Sequence, residues 1–125
     1  MSVPSPQRTL RVLVVEDEML IAMNVEDVLT SLGLRTVGPA ASVEKALDLV
    51  AAGGFDGALL DVNLRGKSVR PVADALAASG IPFVLVTGHG PGGIPEAHRH
   101  RPTLLKPFRD ADLADGIERH LIPAA

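Results

Sequence analysis

Residues 10–18 read LRVLVVEDE, a short β-branched apolar run that stops at three consecutive acids, Glu16, Asp17 and Glu18. An apolar run this short, without alternation, is the pattern of a strand buried on both faces, and such strands belong to parallel sheets. The reading is a central strand with an acidic carboxyl end. Working outward, Ile21, Val25, Val28, Leu29 and Leu32 recur at helical spacing over residues 19–32, and Gly33 stands where a helix C-terminal glycine belongs. Residues 34–41 form a weaker strand, which Pro39 places at an edge or a strand end. Ser42 suits the N-cap of a helix over residues 43–52, ended by Gly53 and Gly54. The apolar run 57–60, GALL, then delivers Asp61 at a second strand end.

A polar, glycine-containing connection over residues 63–70 leads into a helix over 71–79, with Pro71 in its first turn and Gly80 behind it. Residues 82–86, PFVLV, make the most strand-like run and end at Thr87; residues 88–101, GHGPGGIPEAHRHR, read as a loop with at most a short helix around 96–99. A last strand over 103–105 runs directly into Lys106, and a helix over 110–121 follows. Alternation of strand and helix predicts an α/β fold of five βα units, a doubly wound parallel sheet covered on both faces. Ligands in such sheets sit at the carboxyl ends of the strands. Glu16, Asp17, Asp61, Thr87 and Lys106 all fall there and are expected to converge.

Composition narrows the chemistry. The chain has 125 residues, 46% apolar and 22% charged, with no cysteine, which excludes thiol nucleophiles, Cys-ligated zinc and disulfides. A net charge of -3 without a basic run, and no Trp or Tyr, argue against a nucleic-acid partner; no stretch is long and apolar enough to predict a membrane span or a secretory leader. A cytoplasmic location is expected. Three carboxylates at one rim repel one another, each pair by roughly 4 kcal/mol at 4 Å and an effective dielectric near 20. A cation is needed, and an all-oxygen donor set suits Mg²⁺, with Mn²⁺ as an alternative, better than zinc. Beside that cation, a carboxylate, a hydroxyl and an ammonium aimed at one point describe a phosphoryl-accepting site: Asp61 attacks, while Thr87 and Lys106 neutralise the oxygens of the transferred group.

The segments VLVVEDE, LLDVNL, VTG and LKPF, in this order and at this spacing, make the chain resemble the receiver domain of two-component response regulators over nearly its whole length. The resemblance implies a flavodoxin-like sheet of strand order 2-1-3-4-5, one receiver domain over residues 1–125 with a core of about 9–121, and no output domain. It implies phosphorylation of Asp61 by a sensor histidine kinase. Asp17, Asp61 and the backbone carbonyl of Asn63 would ligate Mg²⁺, and Glu16 would act through metal-bound water. Thr87, Gly88 and Lys106 would hold the phosphoryl group, Asn63 and His89 would tune its hydrolysis, and the Lys106-Pro107 bond would be cis. Leu20, Ile21, Asn24, Pro107 and Phe108 would contact the kinase. The expected chemistry is self-phosphorylation and slow autodephosphorylation rather than turnover of a substrate, with the signal passed to a phosphotransfer protein or another protein target.

Two departures mark a subgroup. Thr103 stands three residues before Lys106, where many receivers carry an aromatic switch residue, and the stretch from Thr87 to Lys106 is short, so the fourth helix should be short or mobile. With PFVLVTGHG (82–90), DVNL (61–64) and PVADAL (71–76), these features resemble the FATGUY receivers, which serve kinases of the HWE and HisKA2 types, although Leu85 and Val86 replace the usual Phe and Ala.

Plainer readings compete at several positions. Asp17 and Asp61 could merely cap turns, which Asp does readily, but their register with Thr87 and Lys106 favours function. Glu18 is expected to cap the first helix. The glycines at 88, 90, 92 and 93 lack a Walker ending, and His89, His98 and His100 with Glu96 read as solvated loop residues rather than a metal cluster. Leu20 and Met23, outside the apolar stripe, are expected to pack on a neighbouring helix, with a kinase contact as the sharper alternative. A haloacid-dehalogenase-type phosphatase would need an acid where Asn63 stands. A pseudo-receiver, binding partners without phosphate, remains the main rival.

Overall fold

The computed structural model describes residues 9–88 and 93–123. In chain order its elements are β1 (Arg11–Val15), α1 (Met19–Ser31), β2 (Arg35–Ala40), α2 (Val43–Ala52), β3 (Gly57–Asp61), β4 (Asn63–Leu64), β5 (Lys67–Ser68), α3 (Arg70–Ala78), β6 (Phe83–Thr87), β7 (Thr103–Leu105) and α4 (Asp110–His120). Five strands form one parallel sheet in the order β2-β1-β3-β6-β7, while β4 and β5 make a separate antiparallel hairpin. With the hairpin set aside, this is the expected 2-1-3-4-5 order. Between β6 and β7 the described residues include a 3-10 turn, Glu96–His98, within the short helix that the sequence allows around residues 96–99.

The sheet is buried on both faces because each central strand sends alternate side chains to opposite layers. Val12, Val14, Leu59 and Val84 pack with Leu29 of α1 and Ile117 of α4. Leu13, Leu60 and Leu85 go the other way, into a cluster with Ala46 of α2 and Val72 and Leu76 of α3. This two-sided burial explains why the strands read as unbroken apolar runs.

Local signals carry over with two corrections. Ser42 Oγ accepts from the Lys45 N–H at 3.1 Å, Gly33 follows α1 with φ +79°, and Pro39 lies in β2, an edge strand, at the irregularity where the β1–β2 register shifts between Leu13–Val37 and Val15–Ala40. The Gly38-Pro39 and Lys106-Pro107 peptide bonds are cis. Glu18 occupies the N-cap position of α1, but its side chain makes no capping bond, so the expected cap is absent. Leu20 and Met23 are 82% and 56% exposed rather than packed on a neighbouring helix, because the α1 stripe facing the core runs through Ala22, Val25, Val28 and Leu29.

Gly38 is a place where the fold requires glycine. Its φ is +95°, and a Cβ there would stand 2.9 Å from the Ala40 nitrogen and 3.0 Å from the Val14 carbonyl oxygen, both backbone atoms that cannot swing aside. Gly38→Ala is expected to destabilise the protein by about 2 kcal/mol, combining the cost of positive φ with overpacking. A lowered urea midpoint at unchanged slope is the signature; an unchanged midpoint would mean that β2 shifts freely on β1.

Candidate functional site

Register brings the candidate residues to one level. Asp61 pairs with Val86 in β6, Val86 with Leu104, and Thr87 with Leu105. The ladder then continues past the strand ends, with Glu16 N–H donating to Ala40 O at 2.9 Å, Val62 N–H to Val86 O at 3.0 Å, and Lys106 N–H to Thr87 O at 2.8 Å. Backbone bonds thus fix the carriers of Glu16, Asp61, Thr87 and Lys106 before any side-chain contact is counted.

At the centre is Lys106. Its Nζ lies 3.0 Å from Asp61 Oδ2 and 3.1 Å from Glu16 Oε1, so one ammonium bridges two buried carboxylates. Glu16 is 5% exposed, Asp61 6% and Thr87 1%. Asp17 is half-buried at the mouth, and one oxygen each from Glu16, Asp17 and Asp61 lies within 4.8 Å of the others. Glu18 N–H donates to Glu16 Oε2 at 3.1 Å, Asn63 N–H to Asp61 Oδ1 at 3.1 Å, and Arg65 N–H to Asp17 Oδ2 at 2.9 Å. A cleft of about 260 Å³, lined by Asp17, Asp61, Asn63, Gly88 and Lys106 among others, opens over them.

Electrostatics follow from this packing. Burial pushes the Glu16 carboxyl up to about 7; the neighbouring Asp61 carboxylate adds to the rise, while the Glu18 N–H and the Lys106 ammonium oppose it. Burial also works against Asp17, but the Arg65 N–H, hydrogen bonding to Glu16 and to its own N–H, and the Lys106 charge together outweigh it and hold that carboxyl below its ordinary value. Lys106 loses hydration, yet its bonds to Asp61 and Glu16 prevail and raise its pKa. Three carboxylates against one ammonium leave two formal negative charges. An all-oxygen site with that excess fits a hard divalent cation of the Mg²⁺ kind, and the donor set offers nothing to a softer metal.

The sequence missed the source of the Asp17 bond. The connection after Asp61 is the hairpin β4–β5, turning through Arg65 at φ +52° and Gly66 at φ +82°, with Asn63 Oδ1 accepting from the Gly66 N–H at 2.9 Å. Two consecutive positive-φ residues between paired strands make the favoured two-residue hairpin turn. The available signal was the Asn at the turn's start and the Gly at its second centre. The turn aims the Arg65 N–H at Asp17.

Other expectations fall out unevenly. The five residues expected to meet a kinase, Leu20, Ile21, Asn24, Pro107 and Phe108, line a single groove of about 500 Å³ together with Glu18, Gly88 and Lys106. Asn24 Nδ2 also donates to Asp110 Oδ1 at 3.0 Å, tying α1 to α4. Thr103 is exposed and its hydroxyl donates to the Arg101 carbonyl at 3.1 Å. His98 is not solvated: it is buried against Phe83 and bonded to Asp74 of α3, while His100 is exposed. His89 lies outside the described residues. Among the described residues no helix is long and apolar enough to cross a membrane.

Comparison with known proteins places this geometry. Residues 12–118 match the family profile described as the response regulator receiver domain. The chain is 30% identical over 115 residues to the Phyllosphere-induced regulator PhyR of Methylorubrum extorquens, a match that takes 88% of this chain and 43% of that protein. It therefore spans less than half the length of that regulator. The solution structure of SdrG from Sphingomonas melonis Fr1 is 46% identical, covers 88% of this chain and 94% of its own, and superimposes with a TM-score of 0.79. The BeF3-activated conformation of SdrG, from Pseudomonas melonis Fr1, is also 46% identical, covers 90% and 94%, and superimposes at 0.70.

Proposed function

The chain belongs to the response regulator receiver domain family of signalling proteins, and from that premise we propose that it accepts a phosphoryl group on Asp61 from the phosphohistidine of a sensor kinase. One observation carries the reading: Asp61 is buried at a strand end, with the Lys106 ammonium 3.0 Å from one of its oxygens and the Asn63 N–H 3.1 Å from the other. Such a carboxylate is oriented, desolvated and flanked by a charge that can move from it to an incoming group.

In the transfer, an Asp61 oxygen bonds to phosphorus while the phosphorus–nitrogen bond of the donor breaks, and the imidazole leaves with the electron pair and takes a proton. Lys106 passes from the carboxylate to a phosphoryl oxygen. Thr87, buried at the end of β6, supplies a hydroxyl to another, and the Gly88 backbone borders the same cleft. Glu16, Asp17, Asp61 and the Asn63 carbonyl are the groups that would hold Mg²⁺ or Mn²⁺. When bound, the ion lowers the repulsion between the carboxylates and the phosphoryl oxygens. Slow hydrolysis by water, with Asn63 and His89 as the residues that would tune its rate, returns the free carboxylate.

Displacement of Thr87 toward the new charge is the step that alters a protein-binding face, so the signal leaves through protein–protein contacts in the cytoplasm. The groove between α1 and the Pro107–Phe108 segment fits the kinase side of that traffic, with exposed Leu20 at its lip. The FATGUY-like segments support a kinase of the HWE or HisKA2 type, with a phosphotransfer protein or another protein target downstream.

The test is intact mass after incubation with acetyl phosphate. One phosphoryl group is expected with Mg²⁺ and none with excess chelator, because without the cation the acceptor stays paired to Lys106 amid repelling carboxylates. Absence of any gain in a folded, Mg²⁺-binding protein would favour a binding module that works without phosphate.

A further inference from the structure

Residues 93–101 cross back from β6 toward β7 as a strap fastened at both ends. At its start, a Cβ on Gly93 would stand 3.6 Å from Thr87 Oγ1 and 3.7 Å from Val62 Cγ2, so the strap runs in contact range of the residue that the phosphoryl group would draw. Ile94 is sunk into the core cluster that also holds Val62, Val69 and Val72. At its far end His98, 4% exposed, lies with Nε2 2.7 Å from Asp74 Oδ1 on α3. The His98 bond is the chief reason that the Asp74 carboxyl stays below its usual range. The carboxylate accepts, and Nε2 therefore carries the hydrogen.

The His98 ring meets Phe83 edge-on at 5.7 Å, and the Arg101 guanidinium carbon stands 4.5 Å above the same Phe83 ring. Yet His98 Nδ1 and Arg101 Nε are buried without a hydrogen-bond partner among the described residues. One short charge-assisted bond holds the strap closed, while two unsatisfied buried nitrogens favour opening it. A contact balanced in this way suits a switch better than a permanent brace.

We propose that the His98–Asp74 bond is a latch that pins the strap to α3, restrains Thr87, and so sets how readily the site adopts its phosphorylated arrangement. The proposal rests on the reading of Asp61 as phosphoacceptor. Opening the latch enlarges the population ready to react, and a small phosphodonor reports that population directly.

The experiment uses the full chain with Asp74→Ala, Asp74→Asn and, as control, Arg70→Ala, which removes the other partner of Asp74 at 3.6 Å and leaves His98 alone. Asp74 is half-exposed on a helix, where alanine is well tolerated. Amide exchange over residues 94–101 in the metal-free protein is expected to speed up about tenfold in Asp74→Ala, with the central strands unchanged. Phosphorylation by acetyl phosphate is expected to speed up about threefold. Asp74→Asn, which offers His98 a neutral acceptor of the same shape, falls between, and Arg70→Ala matches wild type. Unchanged exchange over the strap would overturn the latch. Faster exchange with an unchanged phosphorylation rate would reduce it to a brace and overturn its role as a switch. A wild type that takes up no phosphoryl group would sink the reading of Asp61 itself, and the switch with it, a result visible before any variant is compared.

Discussion

Asp61→Asn is expected to take up no phosphoryl group from acetyl phosphate or from a histidine kinase, a loss of at least about a thousandfold in rate, because a neutral amide is not a nucleophile toward phosphorus. The substitution is nearly isosteric. The amide oxygen can keep the Asn63 N–H bond now made by Asp61 Oδ1, and losing one of two buried carboxylates relieves their mutual repulsion, so the variant should fold. The neighbouring acids are poor substitutes. Glu16 is bonded by Lys106 and the Glu18 N–H, and Asp17 is held by the Arg65 N–H at the cleft mouth. Intact mass of wild type and variant side by side is the check. A gain that survives in the variant would move the acceptor to one of those two acids and remove Asp61 from the centre of the site.

How much of this was legible beforehand depends on the range of the interaction that decided it. β1, β3 and β6 announce themselves as unbroken apolar runs because both faces of a parallel strand are covered, and their last residues announce the site because strand ends are where such sheets bind. The convergence of Glu16, Asp17, Asp61, Thr87 and Lys106 follows from topology alone. The features that were missed depend on partners far away in sequence. The β4–β5 hairpin is two residues a side, below the length at which alternation can be seen, and its meaning lies in the Arg65 N–H reaching Asp17, 48 positions away. His98 sits in HRHR, which reads locally as solvated; Asp74, 24 positions earlier, and the face of Phe83 bury it. Glu18 takes the capping position but its side chain makes no capping bond, while its N–H donates to the buried Glu16 carboxylate.

That carboxylate pair sets the second large effect. Lys106→Met keeps the apolar stem and removes the only cation among the described residues that touches Glu16 and Asp61. Breaking a buried ion pair by deleting one member commonly costs 3–5 kcal/mol. Here the loss should lie near the lower end, about 3 kcal/mol without metal, because Glu16 with its pKa at about 7 can take up a proton rather than stay charged. A divalent cation should reverse the deficit. With the ammonium gone, an ion that displaces the proton from Glu16 meets one more uncompensated negative charge, so Mg²⁺ should bind several-fold more tightly, and at about 100 times its dissociation constant it contributes roughly 2.7 kcal/mol. Urea unfolding of both proteins, with chelator and with Mg²⁺, separates the two effects. The expected pattern is a large gap in midpoint under chelator that narrows or closes with the ion. Equal midpoints under chelator would mean that Lys106 is not the counter-charge of the pair. A gap that Mg²⁺ leaves untouched would mean that these carboxylates do not hold the ion.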